Sequence, residues 1–213
     1  MDKLTLLHCQ VPADHYDREI KNNLFLRLWH KNRFNKVGQT INNIYPQQIL
    51  DIGCHGGTFT EAISRQFPRA KVFGIDICPH LIAYAQKKRP KINFKVASAE
   101  KLPFASKTFQ LVTCFDMLEH LPNPGKAVDE ISRVLSGGGI LVLTVPSENL
   151  IYKLTWWFWT VFGAGRVWQE THVQNFSHHK IDDILKDTGF QVNKKQLINW
   201  SMLILIKAQK VLL

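Results

Sequence analysis

The chain has 213 residues, 45% hydrophobic and 21% charged, with 27 Lys+Arg against 17 Asp+Glu for a formal net charge of +10. This length suits one well-buried α/β domain with an elaboration rather than two independent enzyme domains. No stretch reaches the roughly 20 apolar residues that span a bilayer, so no transmembrane helix is expected.

The opening Met1-Asp2-Lys3 is followed only by a brief apolar patch, Leu4 to Leu7, without a small-residue cleavage site. A secretory signal is therefore not expected, and the cytoplasm is the simplest compartment. Cys9, Cys54, Cys78 and Cys114 lie far apart with no Cys-x-x-Cys pair, which predicts neither a disulfide nor a zinc site. The positive charge favours anionic partners such as acidic lipid headgroups, nucleic acid or a phosphorylated substrate, although scattered basic residues also serve solubility.

In chain order, Tyr16, Ile20, Leu24, Leu28, Val37 and Ile41 recur near every 3.6 residues, predicting one or two amphipathic helices over 14–44. After Pro46 the pattern changes to strand Ile49–Ile52, a helix to Phe67, strand Lys71–Ile75, helix Pro79–Lys88 and strand Ile92–Val96. Strand Phe109–Cys114, a helix from Pro124 capped by Asn123, and strand Gly139–Val145 continue the alternation, the last introduced by Ser136-Gly137-Gly138-Gly139. A final helix from Ser177 to Thr188, stopped by Gly189, precedes strands Phe190–Gln196 and Met202–Ala208. Such alternation predicts a Rossmann-like α/β fold: a seven-stranded, mainly parallel sheet flanked by helices. The expected organisation is a single domain over 1–213. It comprises an N-terminal helical cap (1–45), a core (46–146), an aromatic insertion (147–176), and the last helix with the closing strands (177–213).

Chemistry concentrates at two strand ends. Ile49-Leu50-Asp51-Ile52-Gly53-Cys54-His55-Gly56-Gly57 is an apolar strand running into glycines, and ligands bind at the carboxyl end of such a strand. The dinucleotide fingerprint Gly-x-Gly-x-x-Gly is not matched. Gly74-Ile75-Asp76 puts a carboxylate at the end of the next strand, where it can accept from both ribose hydroxyls of an adenosine-containing cofactor.

Two further blocks follow in order: Ala99-Glu100-Lys101-Leu102-Pro103-Phe104 with Phe109-Gln110-Leu111-Val112, and Arg133-Val134-Leu135-Ser136-Gly137-Gly138-Gly139. With all four blocks, Ile49 to Val145 resembles a class I S-adenosylmethionine-dependent methyltransferase, of the methyltransferase type 11 or ubiquinone-pathway O-methyltransferase kind. The resemblance implies S-adenosylmethionine as cofactor and S-adenosylhomocysteine as product. It implies that Asp51, Gly53, Cys54 and Gly57 form the turn holding the methionine part, and that Asp76, with Ile77 beside it, binds the ribose. Ser98 and Ala99 would lie by the adenine, Phe115 would flank the cofactor, and Arg33 would meet the methionine carboxylate through paired hydrogen bonds. The family usually has glycine where this chain has His55 and aspartate where it has Ser98. His55 therefore implies a turn that accepts a Cβ there, with Gly56 and Gly57 taking the strain.

A sulfonium methyl is already electrophilic, so the reaction chiefly needs alignment and exclusion of water, and an oxygen acceptor gains from a base. The loop Asp116-Met117-Leu118-Glu119-His120-Leu121-Pro122 follows the fourth strand, and His120 is a candidate catalytic group. The spacing of Asp116, Glu119 and His120 resembles a Glu-x-x-Glu-His string that gathers a divalent cation. The Leu-Glu-His-Leu string is also widespread in related enzymes without a metal, and none is expected here. His172 is a second candidate base.

Tyr152 to Phe162 is apolar nearly all round and contains Trp156, Trp157 and Trp159. It reads as a lid over a lipophilic acceptor, a peripheral membrane contact, or an ordinary packed segment. A small apolar, lipid- or quinone-like acceptor is the leading expectation. The alternatives are an RNA methyltransferase, for which no RNA-binding module appears, and a non-catalytic S-adenosylmethionine-binding partner protein.

Overall fold

The computed structural model describes residues 8–162 and 178–211. Two helices, α1 (His15–Asn22) and α2 (Leu24–Ile41), precede the sheet and break at Asn23, whose side chain accepts the Leu26 N–H at 3.1 Å. The elements that follow are β1 (Gln48–Ile52), α3 (Thr58–Gln66), β2 (Lys71–Asp76), α4 (Pro79–Lys88), β3 (Asn93–Val96), β4 (Phe109–Phe115), α5 (Pro124–Val134) and β5 (Leu135–Pro146). Then come α6 (Leu150–Phe162), α7 (His178–Asp187), β6 (Phe190–Ile198) and β7 (Leu203–Lys210).

The seven strands form one sheet in the order β3-β2-β1-β4-β5-β7-β6. The pairs from β3 across to β5 are parallel, and β7 runs antiparallel to both β5 and β6. Strand order reverses between β1 and β4, and such a switch point opens a crevice outside the strands' carboxyl ends.

Side chains alternate between two buried layers, as the pleat requires. Leu50, Ile52, Val112 and Cys114 pack on one face with Ala127, Val128, Ile131 and Val134 of α5 and with Ile181 and Leu185 of α7. Ile49, Leu111 and Phe115 pack on the other face with Val37 and Ile41 of α2, Phe59 and Ile63 of α3, and Ile82 and Ala85 of α4. Each fully buried Leu, Ile or Phe contributes roughly 1.5–3 kcal/mol, so both faces hold the strand ends firmly in register.

The structure departs from expectation in places. Strand β5 begins at Leu135, not Gly139: Phe109 pairs Leu135 and Leu111 pairs Ile140, so the serine and glycines form an irregularity within the strand. The apolar segment folds as α6, and no described helix is long and apolar enough to cross a membrane. The expectation of unpaired cysteines is corrected, since Cys9 and Cys78 form a disulfide, whereas Cys54 and Cys114 are free and buried. Residues distant in sequence meet because the N-terminal segment folds back over the end of β2, a juxtaposition that spacing does not encode.

Candidate active site: two cavities sharing a wall

The carboxyl ends of β1, β2 and β4 open into a cavity of about 380 Å³, lined in part by Gly53, Asp76, Ile77, Ser98, Ala99 and Phe115. Gly53 has φ +71°, and a Cβ there would collide with the Met117 side chain. Asp76 sits at the end of β2, where it accepts from the His55 N–H at 2.9 Å and the Cys78 N–H at 3.0 Å. Burial raises its pKa against those backbone hydrogen bonds. Ser98 Oγ accepts the Glu100 N–H at 3.2 Å and so caps its own loop, while Glu100 also lines the cavity.

The turn before α3 is tighter than its glycines suggest. His55 itself adopts φ +50°, the left-handed region, so the strain assigned to Gly56 and Gly57 falls partly on a residue with a Cβ. Its ring packs edge-on against Tyr16 at 5.0 Å, and burial lowers its pKa to about 3, keeping it neutral. Gly56 is needed for another reason: a Cβ there would strike the Ala13 carbonyl oxygen. Arg89 clamps this close approach, donating to Asp17 of α1 at 2.6 Å, to the Gly56 carbonyl at 2.7 Å and to Glu61 of α3 at 3.0 Å.

Three residues expected to touch the cofactor lie beneath its cavity instead. Asp51 is buried and accepts from the Thr60 hydroxyl at 2.6 Å and the Thr113 hydroxyl at 2.7 Å, tying β1 to α3 and β4. Burial raises its pKa to about 6 despite those hydrogen bonds. Cys54 is buried, with its thiol toward the His55 carbonyl, and Gly57 forms the cap of α3 at φ +84°.

A second cavity, of about 390 Å³, lies between α1, α2, the loop after β4 and α6. Its walls are Phe25, Leu26, Trp29, Trp156, Phe158 and Trp159, with Arg33, Glu119 and Tyr152 deeper in. The two cavities share Tyr16, Asp116 and His120. Leu26, Trp29, His30 and Arg33 recur at helical spacing, so one face of α2 supplies a whole side of the second cavity.

Arg33 therefore belongs to the second cavity. Its guanidinium pairs with Asp116 Oδ2 at 2.8 Å, donates to Thr144 Oγ1 at 3.0 Å, and lies over the rings of Phe59 and Phe115 at 4.7 and 5.4 Å. Asp116, at φ +47°, also accepts the Thr144 hydroxyl at 2.7 Å. With Asp116 so engaged, no group of three His, Cys, Asp or Glu side chains among the described residues is arranged to hold a metal. Asp116, Glu119 and His120 do not form such a group.

Glu119 is 1% exposed, and neither carboxyl oxygen has a hydrogen-bond partner among the described residues. Burial pushes its pKa well above the usual carboxylate range, with nearby Asp116 adding to the effect, which favours the neutral acid. Glu19 is the opposite case. Burial raises it, but hydrogen bonds from His15 at 3.2 Å and His30 at 3.1 Å outweigh that and bring its pKa down to about 2. Burial also keeps the Tyr16 phenol protonated.

The structure thus gathers six predicted cofactor residues, Gly53, Asp76, Ile77, Ser98, Ala99 and Phe115, around one cavity, and puts His120 on its shared wall. His172 lies outside the described residues. Tyr16, Glu19 and His30 were missed. Their signal was a polar residue recurring on the apolar face of an amphipathic helix, visible in the spacing of Tyr16, Glu19 and Ile20.

A family model described as a methyltransferase domain matches residues 13–195. The chain belongs to this family. S-adenosylmethionine is the methyl donor of such domains, and the first cavity can take it: the Asp76 carboxylate, an acceptor for hydroxyl groups, stands in its wall, and Gly53 lets Met117 pack close to the turn. Among characterised methyltransferases, the chain is 28% identical over 179 residues to a malonyl-acyl-carrier-protein O-methyltransferase of Legionella pneumophila, covering 81% of this chain and 58% of that protein. It is 29% identical over 123 residues to a ubiquinone biosynthesis O-methyltransferase of Leptothrix cholodnii, covering 55% and 52%. The chain thus spans little more than half the length of these relatives. A magnesium protoporphyrin IX methyltransferase from Synechocystis, solved with bound SAH, shares the fold with a TM-score of 0.70 at 18% identity, covering 92% of this chain and 93% of that one.

Proposed function

We propose that this methyltransferase domain transfers the methyl group of S-adenosylmethionine to a lipophilic acceptor held in the second cavity. One observation carries the reading: a cofactor cavity and an apolar cavity meet at Tyr16, Asp116 and His120. The bound cofactor supplies an electrophilic methyl, and the chain supplies alignment and a dry site. Asp76 binds the ribose, Phe115 covers the cofactor, and His120 faces the acceptor from the shared wall. Phe25, Phe158 and Phe162, which line the cavity and are also exposed, favour a lipophilic body over a nucleobase carried on an anionic RNA backbone. Relatives named for ubiquinone biosynthesis and for a malonyl-acyl carrier are in keeping with such acceptors.

The acceptor comes from a membrane surface. On α6, Trp156 and Trp159 turn into the cavity, while Trp157 and Phe158 are 58% and 62% exposed. Phe25 and Phe162 both line the cavity and face outward, so its mouth is an apolar rim, with Leu24, Leu28 and Trp200 also exposed. Aromatic rings suit the membrane interface, and a net charge of +10 suits an anionic one.

Two experiments test these readings. Calorimetry with S-adenosylhomocysteine is expected to show binding that Asp76→Ala weakens by about 100-fold, roughly two charge-assisted hydrogen bonds. No binding, or equal binding by the variant, sinks the cofactor assignment, and binding without transfer to any acceptor supports a non-catalytic partner. Phosphatidylglycerol vesicles should sediment with the wild type and not with a Trp157→Ser, Phe158→Ser variant. Equal, negligible sedimentation of both removes the membrane from the account.

A further inference from the structure

Of the buried polar atoms lacking a hydrogen-bond partner among the described residues, His55 carries two in the wall of the cofactor cavity and Asp182 one elsewhere, and the largest group lies around the acceptor cavity. That group includes His30 Nδ1, Arg33 Nε and both carboxyl oxygens of Glu119, and all three residues line that cavity. A native protein leaves few such atoms, because each costs about 1–3 kcal/mol when buried without a partner. A carboxyl, an imidazole and a guanidinium left unpaired in one cavity wall are groups that a ligand can partner.

The protonation pattern at His30 follows from its contacts. An ionised carboxylate only accepts hydrogen bonds. In the neutral His30 ring, the 3.1 Å contact between Nε2 and Glu19 Oε2 puts the proton on Nε2 and leaves the lone pair on Nδ1. His15 holds the other oxygen of Glu19 at 3.2 Å and keeps the carboxylate turned toward both rings. His30 is 4% exposed and lies edge-on to Tyr16, 5.6 Å between ring centroids, and Tyr16 belongs to the wall shared with the cofactor cavity. An imidazole oriented by a buried carboxylate, in the acceptor cavity and next to a ring of the shared wall, is the arrangement of a general base.

We propose that His30, oriented by Glu19, is the general base of this domain and that the acceptor's reactive group is a hydroxyl at the head of an apolar molecule. The proposal rests on the methyltransferase reading given above. A hydroxyl has a proton to donate to His30 Nδ1 and oxygen lone pairs to offer a donor such as Arg33 Nε. A carboxylate arrives already ionised and has no proton to give. As the acceptor oxygen bonds to the methyl carbon, the carbon–sulfur bond breaks and its electron pair stays on sulfur, neutralising the sulfonium. The hydroxyl proton passes to His30 Nδ1, and the imidazolium is stabilised by the Glu19 carboxylate until the proton leaves to water. His30 is the catalytic residue of the pair and Glu19 a positioning residue.

The test uses the whole chain with S-adenosylmethionine and a catechol bearing a long alkyl tail. General-base loss predicts that His30→Gln lowers kcat by roughly 10²–10⁴-fold while KM changes by no more than about threefold. Glu19→Gln should lower kcat in the same way but less. A nitro derivative of the catechol, ionised at neutral pH, should restore most of the His30→Gln rate, which a merely structural role would not allow. S-adenosylhomocysteine affinity should match the wild type in both variants. Nitrogen-15 NMR of the wild type should show one buried imidazole unprotonated at Nδ1.

Full turnover by His30→Gln overturns the proposal, as does a wild type that binds S-adenosylhomocysteine but leaves the catechol unmethylated. If His30→Gln loses cofactor affinity through misfolding, the tautomer of the wild type decides, and a protonated Nδ1 overturns the proposal. A wild type that does not bind S-adenosylhomocysteine defeats the methyltransferase reading itself.

Discussion

In the cofactor cavity and the floor beneath it, the carboxylates and the serine are satisfied by the protein, Asp76 by two backbone N–H groups, Asp51 by two threonine hydroxyls and Ser98 by its own loop. His55 is the residue left there with unpartnered ring nitrogens among the described residues. In the acceptor cavity Glu19 is partnered, but Glu119, His30 and Arg33 each carry a buried atom without a partner among the described residues. The first region is built from strand ends and a tight turn, the second from side chains on helices α1, α2 and α6. A preorganised site for a constant cofactor lies beside an incomplete one that a particular acceptor completes. Preorganisation lowers the cost of binding, whereas unpaired polar groups trade stability for specificity.

The strongest challenge to a rigid cofactor side is to release the arm that covers it. The Cys9–Cys78 disulfide closes a separation of 69 residues and ties that arm next to Asp76. By loop entropy such a link stabilises by about 4 kcal/mol, so Cys9→Ser or a reductant should lower the denaturation midpoint markedly. S-adenosylhomocysteine binding should weaken too, because His8 and Tyr16 form part of the cavity wall. Unchanged stability under reductant would mean that the arm is held by the Arg89 clamp alone.

Next in size is Asp51, a test of whether its buried carboxylate is structural. Burial raises its pKa to about 6 in the folded protein from the 3.8 of an exposed aspartate. Between those values the folded state binds more protons than the unfolded one, so the contribution is fully present below pH ~4 and lost as pH rises through ~6. The shift corresponds to about 3 kcal/mol. Asp51→Asn, which keeps partners for both threonines, should therefore gain on the wild type by that amount between pH 4 and 7 in urea titrations. A difference independent of pH would rule out the protonated carboxyl.

The same contrast explains what could be read from sequence. Asp51-Ile52-Gly53 and Gly74-Ile75-Asp76 are contiguous, and each encodes a strand end with the turn after it, so the sheet and the place of Gly53 and Asp76 in the wall of the first cavity were legible. The acceptor cavity joins residues from 15–33, 116–120, 146–162 and 202–203, which meet only after folding. Arg33 was singled out, but its carboxylate partner proved to be Asp116, supplied from a distant loop. His30 has no motif around it. In the proposed mechanism it is Glu19, eleven positions earlier and on another helix, that makes it a base. Likewise the His55 conformation was hidden, because nothing local states that Ala13 and Tyr16 press on that turn.

Glu119 gives the smallest effect and the sharpest contrast. A neutral acid buried without a hydrogen bond costs stability, so replacing it by a side chain of similar volume and no polar atoms should help the fold. Glu119→Met is expected to raise the unfolding free energy by about 1–2 kcal/mol in chemical denaturation. Asp51→Met, which strands two threonine hydroxyls, should lower it. If Glu119 is kept for the acceptor, the stabilised variant should also lose turnover while S-adenosylhomocysteine affinity stays unchanged, since Glu119 lines only the acceptor cavity. A Glu119→Met variant that is less stable than the wild type would mean that the carboxyl is satisfied within the fold. The acceptor cavity would then be as complete as its neighbour, and the difference between the two regions would lie in their shape alone.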